Sequence, residues 1–156
     1  VRALKFAQVG ATSRWGLAAV EELLGARPDI VTVEFASNDA ALHRRISAAE
    51  SLKNMTRIVR RLQTADSRPR IYLMTMSPAK GLRGLVRPRL DQYFQMYVGI
   101  AKREGVGLID HRPSWRALPR SLLNQAIPDG AHPIPAYSLS ITLVNVVKAI
   151  RRDLGC

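Results

Sequence analysis

The chain has 156 residues, 47% of them hydrophobic, and a formal net charge of +12, enough for one domain whose core needs no cross-links. Its single cysteine, Cys156, excludes an internal disulfide. No apolar run approaches the ~20 residues of a membrane span and no signal peptide is visible, so the compartment stays open.

In chain order, "ALKFAQV" (3–9) is a short apolar run that ends at Gly10, and it is expected to be a strand. "SRWGLAAVEELLG" (13–25) sets Leu17, Val20 and Leu24 on one helical face and stops at Gly25. "DIVTVEF" (29–35) is β-branched and nearly continuously apolar, as a strand covered on both faces should be. A helix then opens with Ser47 and Glu50 in capping-box spacing, and Ala48, Leu52, Met55, Val59 and Leu62 form its buried stripe. "RIYLMTM" (70–76) predicts the next strand, closed by Ser77-Pro78. The following helix has Pro88 near its first turn and Gly105 at its stop, and "VGLID" (106–110) is a short strand. The last helix, from about Ser138 to Leu154, is expected to bury Leu139, Leu143, Val146, Val147 and Ile150.

Strands alternating with helices of this length imply βαβ units, hence a parallel sheet with helices on both faces. In such sheets ligands sit at the carboxyl ends of the strands. Gly10, the "ASND" of 36–39, Ser77, Asp110 and the "DGAH" of 129–132 all fall at those ends.

Three of these segments, "VGATSRWGL" (9–17), "VEFASNDA" (33–40) and "PDGAHP" (128–133), resemble the second, third and fifth sequence blocks of the SGNH, or GDSL-type, esterase and lipase family. The resemblance runs from about Ala3 to the C-terminus. It implies a flavodoxin-like three-layer α/β/α sandwich and an ester hydrolase that works by serine acyl transfer. In that reading His132 is the general base, Asp129 orients its imidazole, and Gly10 (backbone N–H) and Asn38 (side-chain amide) form the oxyanion hole. No metal or organic cofactor is implied. The substrate would be a small-molecule, glycan or lipid ester, with an acetylated carbohydrate, a lipid ester and a thioester all open.

Two departures accompany the resemblance. Only nine residues precede Gly10 and none is serine, so the family's Gly-Asp-Ser block, with its nucleophile, is not in this sequence. Ala36 stands where the third block has glycine. The expectation is a single SGNH-type domain, residues 1–156, that lacks an upstream first strand carrying the nucleophile; the leading Val1 agrees with an incomplete or processed N-terminus. The alternatives are a relocated nucleophile, with Ser13 the first candidate and Ser37 and Ser77 also at strand ends, or a non-catalytic relative. Ser13 also reads as a helix N-terminal cap.

Charge supplies the rival reading. Nine of the Lys and Arg residues fall between Arg57 and Arg89 against a single acid, Asp66. Such a field attracts an acidic polysaccharide, nucleic acid or an anionic membrane surface. It equally describes a solvated basic face, and aromatics are not interleaved with the charges as single-strand binders require. Asp110-His111 could add ligands for a metal, although no tight ligand spacing supports one. His43 could border the pocket or be a surface residue, and Trp15, Trp115 and Tyr137 could line a groove or pack in the core.

Overall fold

A computed structural model of the chain describes residues 2–155; Val1 and the single cysteine, Cys156, lie outside it. Its centre is a parallel sheet of three strands, β1 (Ile30–Val33), β2 (Arg70–Met74) and β3 (Gly107–Ile109), in the order β1-β2-β3. The register pairs Val31 with Ile71 and Val33 with Leu73, then Leu73 with Leu108 and Met74 with Ile109. Burial on both sides fits the apolar run of β2, where Ile71, Tyr72 and Leu73 are all buried; β1 departs from the expectation, since Val31 and Val33 are buried but Thr32, on its other face, is exposed. Val31, Val33, Ile71 and Leu73 point into the main core with helices α1 (Ser13–Gly25), α3 (Ala48–Gln63) and α5 (Leu90–Glu104). Tyr72 and Ile109 point the other way, against Ala149, Val146 and Ile150 of α9 (Val144–Leu154). The fold is the expected three-layer α/β/α sandwich of the flavodoxin-like type.

The shorter elements surround the sheet's carboxyl rim. These are α2 (Ala36–Asp39), a 3₁₀ turn (Leu42–Arg44), α4 (Gly81–Leu85), α6 (Arg112–Arg116), α7 (Arg120–Ala126) and α8 (Pro135–Tyr137). Helix α3 begins as its capping residues require, with Ser47 Oγ accepting from Glu50 N–H at 3.1 Å. Helix α5 ends at Gly105, whose φ of +67° closes the helix in the left-handed conformation.

Two sequence expectations are corrected. Residues 3–9 form no strand, and Leu4 and Val9 are exposed. A strand needs a neighbour to take up its backbone groups. Among the described residues the only ladder on β1 is the one to β2, and the segment joins neither sheet edge. It is held instead by Phe6 against Trp15, ring centroids 5.6 Å apart. The last helical segment also differs. Leu139, Leu143 and Val147 are exposed, while Val146, Ala149 and Ile150 pack on the sheet. Residues Ser138–Leu143 form a π-helical stretch, whose wider turns rotate the residues before α9 off the stripe that a regular helix would give.

A buried carboxylate ties the rim together. Asp39, 1% exposed, accepts the backbone N–H of Ser13 on Oδ1 at 2.8 Å and the Ser51 hydroxyl on Oδ2 at 2.5 Å. Ser13 in turn accepts from Asn54 Nδ2 on its own hydroxyl at 3.1 Å. Helix α1 is therefore capped from another element; its own N-cap residue, Thr12, makes no side-chain capping bond. Replacing Asp39 by Ala strands a buried N–H and a buried hydroxyl together, and we expect a loss of about 2–4 kcal/mol in urea denaturation. A loss below 0.5 kcal/mol, the size of a change at an ordinary surface position, would remove this carboxylate from its structural role.

Candidate active site

The Asp129–His132 pair is made within one turn. His132 Nδ1–H donates to Asp129 Oδ2 at 2.6 Å, while Asp129 Oδ1 accepts the N–H groups of Ala131 (2.9 Å) and His132 (2.7 Å). These bonds hold the Asp129 carboxyl well below the usual carboxylate range, the backbone N–H of His132 contributing most and its imidazole next. With Nδ1 carrying the proton, Nε2 is the basic nitrogen. The His132 side chain is 78% exposed, so that nitrogen is accessible.

The turn needs Gly130. Its φ is +81°, and a Cβ there would lie 2.5 Å from the carbonyl oxygen of Lys80. The close approach serves a bond, since Lys80 N–H donates to Gly130 O at 2.7 Å. Ser77 Oγ donates to Ala131 O at 3.3 Å and Ile134 N–H to Ala126 O at 2.9 Å. The loop is thus fastened to the end of β2, to the start of α4 and to α7.

The Gly10 turn and the Asn38 loop also meet. Asn38 Nδ2 donates to Ala11 O at 2.8 Å, which among the described residues leaves its second amide hydrogen uncommitted. Gly10 has a φ of +68°, a conformation open to glycine, and its N–H makes no hydrogen bond among the described residues. Ala36 is completely buried in the core, so the small residue at this position is accommodated. From the far side of the rim, Arg87 Nε donates to Ser37 O at 2.7 Å, and Leu42 N–H donates to Val86 O at 2.9 Å. The segment from Lys80 to Arg87 therefore bonds to the Asp129–His132 loop at one end and to the Asn38 loop at the other.

Other candidates fall elsewhere. Ser13 is fully buried and its hydroxyl is taken up by Asn54. Ser77 is buried and faces Ala131 O, and Ser37 N–H donates to Glu34 Oε1 at 2.8 Å. His111 is buried, with Nδ1 against Asn145 Nδ2 at 3.2 Å. Its neighbour Asp110 is bonded by Arg112 and Thr75; burial opposes its ionisation, yet those bonds outweigh it and hold the carboxyl at about 2. Among the described residues no three His, Cys, Asp or Glu side chains are grouped to hold a metal. His43 is exposed. Trp115 is core, packed with Ala126, Ile127, Ile141 and Tyr137, and Trp15 packs on Phe6 and Phe35. The Arg57–Arg89 run is divided: Arg60 pairs with Glu104 and Arg61 with Glu21, while Arg83 and Arg87 stand at the rim. No helix among the described residues is long and apolar enough to cross a membrane.

Sequence reasoning missed Glu34, which sits at the carboxyl end of β1 and looks like one more residue of an apolar strand. Burial pushes its carboxyl up to about 7, with the charge of Asp39 adding to the effect and the Ser37 N–H opposing it. Between the ordinary value of 4.5 and about 7 the folded chain holds a proton that the unfolded chain releases, so stability falls as pH rises through this window. Glu34→Gln keeps the acceptor for Ser37 and removes the half-buried charge. We expect the variant to unfold at higher temperature than the parent at pH 8, by about 1–3 kcal/mol of stability, with the gap closing by pH 4. A difference that does not change with pH would contradict this account of the site.

The profile of the GDSL-like Lipase/Acylhydrolase family matches residues 1–136. No curated protein matches the sequence. Among solved structures, the lipase/acylhydrolase from Enterococcus faecalis is similar at 24% identity and a TM-score of 0.74, covering 91% of this chain and 72% of its own. A catalytic mutant of an acetylxylan esterase from Geobacillus stearothermophilus gives 20% and 0.71, over 94% of this chain and 68% of its own. The psychrotrophic esterase EstA from Pseudoalteromonas sp., inhibited by monoethylphosphonate, gives 20% and 0.70, over 94% and 75%. At these identities the structures speak for the fold alone, and the family profile, which spans most of the sequence, decides membership: the chain belongs to the GDSL-like lipase/acylhydrolase family.

Proposed function

We propose that the protein is an ester hydrolase working by serine acyl transfer, with His132 as general base and Asp129 as the group that orients and stabilises its imidazole. The observation that carries this reading is the 2.6 Å bond from His132 Nδ1 to a carboxylate that two backbone N–H groups already hold in place. A serine hydroxyl attacks the ester carbonyl carbon while His132 Nε2 takes its proton. The carbonyl oxygen becomes an oxyanion, stabilised by the Gly10 N–H and the second amide hydrogen of Asn38. His132 then returns the proton to the departing alcohol, and water, activated by the same nitrogen, hydrolyses the acyl-enzyme.

In this reading the serine belongs to a strand preceding Gly10 in the gene and laid along the free edge of β1. Support comes from the sheet itself: among the described residues β1 has a ladder on one side only, and residues 3–9 join no strand. The buried, committed hydroxyl of Ser13 is poorly suited to attack. The substrate class is an ester of the esterase, lipase or carbohydrate-deacetylase kind; the acetylxylan esterase among the structural neighbours favours a glycan ester as a first trial.

Fluorophosphonate labelling of the protein from its natural source, followed by intact-mass and peptide mass spectrometry, tests the reading. A single adduct on a serine outside these 156 residues is expected. An adduct on Ser13, Ser37 or Ser77 would relocate the nucleophile, and a folded protein that takes no label is not a serine hydrolase. In the whole gene, His132→Ala and Asp129→Asn should each lower p-nitrophenyl acetate turnover by about 10³–10⁴ while the protein still folds, since both side chains are exposed and the loss is confined to the hydrogen bonds of one turn.

A further inference from the structure

Three arginines converge on the candidate site, and among the described residues none forms an ion pair. Arg44 ends the 3₁₀ turn and lies over Gly10 so closely that a Cβ on that glycine would fall 2.1 Å from its Nη2. Arg87 donates from Nε to Ser37 O at 2.7 Å, one residue before Asn38, and from Nη1 to Arg83 O at 3.2 Å. The Cβ of Arg83 lies 3.5 Å from where a Cβ on Gly130 would stand, beside Asp129 and His132. Each of the three loops that carry the proposed chemistry is thus bordered by one arginine.

Their charges are felt mutually. Burial holds the Arg87 guanidinium below the usual arginine value, and the positive charges of Arg83 and Arg44 lower it further. Elsewhere the chain gives many arginines a partner: Arg14 pairs with Glu50, Arg60 with Glu104, Arg61 with Glu21, Arg112 with Asp110 and Arg116 with Asp91. Among the described residues Arg44, Arg83 and Arg87 form no ion pair. The acid acting on Arg87 is Glu34, whose carboxyl burial raises to about 7, so three guanidinium groups face one partly ionised acid. Like charges gathered with too little counter-charge raise the energy of the free protein, and an anion relieves it. Guanidinium groups are suited to that task, since their donor fork matches the oxygens of a carboxylate or phosphate.

We propose that the protein's substrates are esters bearing an anionic group, a carboxylate or phosphate, close to the ester carbon, and that Arg44, Arg83 and Arg87 bind that group. The proposal rests on the ester-hydrolase reading for the word substrate, and on the arginines alone for the anion site. A small anion fits better than a long polyanion, because the basic run does not continue as one surface: Arg60 and Arg61 are neutralised by their partners.

Binding is measured apart from turnover, with hydrolysis-resistant amides. N-methylsuccinamate carries a carboxylate on the acyl side, N-methylsuccinamide is its neutral analogue, and N-acetyl-O-phosphoethanolamine places a phosphate on the other side. In ¹H–¹⁵N spectra at low salt, one or both anionic probes should shift Gly10, the Asn38 side-chain amide and Arg87 Nε. The tighter of them should bind at least about tenfold more tightly than the neutral analogue. Raised salt should shrink that preference, and Arg44→Gln with Arg83→Gln should bring it near one; Arg83→Gln alone, at an exposed position, should lower it in part. Equal affinity for charged and neutral probes, a preference unchanged in the variants, or shifts confined to the Asp110–Arg112 region would overturn the proposal. If p-nitrophenyl acetate is hydrolysed without any anion preference, the anion site alone fails. If the preference is present but fluorophosphonate leaves no label, the hydrolase reading fails and the anion site stands without a substrate.

Discussion

The rim of this domain depends on the Asp39 carboxylate. A carboxylate withdrawn from water is costly unless its oxygens are satisfied, and here both are, by Ser13 N–H from α1 and by the Ser51 hydroxyl from α3. The arrangement fixes three elements relative to one another through two atoms. Because Asn38 is the adjacent residue, satisfying Asp39 also sets the backbone that aims the Asn38 amide at the Gly10 turn. Structural need and proposed chemistry thus share one short helix, α2. Phe35, just before it, donates its N–H to the hydroxyl of the buried Tyr97 on α5 at 2.9 Å, so the main core holds the helix from its other end as well.

The second connection runs through the segment from Lys80 to Arg87. Little of it is buried, and Leu82 and Leu85 are exposed. Its place is set mainly by polar bonds: Lys80 N–H to Gly130 O, Lys80 Nζ to Leu123 O and Asn124 Oδ1, and Arg87 Nε to Ser37 O. The distance between the proposed base and the proposed oxyanion donors therefore rests on hydrogen bonds near solvent, each worth little by itself, rather than on close-packed side chains. Elements held in this way open more readily than core elements.

Much of the fold was legible because the relevant signals are local. The β-branched runs at 30–33 and 70–74 and the capped stripe of α3 declare themselves within a few residues. Residues 3–9 show where such reading ends: their apolar pattern suits a strand, but a strand exists only with a partner, and pairing is not written in the segment itself. The π-helical stretch before α9 hid similarly, since periodicity assumes a regular helix. At the site, the Asp129–His132 pair and the Asn38 loop could be found from spacing and resemblance. Asp39, Glu34 and the grouping of Arg44 with Arg83 and Arg87 could not, because their meaning lies in contacts across 12 to 50 positions of chain and in burial that composition does not reveal.

The Asp129–His132 pair spans three positions of sequence and is closed by its own turn. Such a unit has almost the lowest contact order a side-chain pair can have, so it re-forms as soon as the turn does. Its bearing on the Gly10 turn is a different matter, since that relation crosses most of the chain. Gentle heating or mild denaturant would then separate correctly assembled halves of the site before damaging either. If the proposed chemistry holds, inactivation of this kind would be silent in the histidine's own hydrogen bond, and the working range would be narrower than the melting curve.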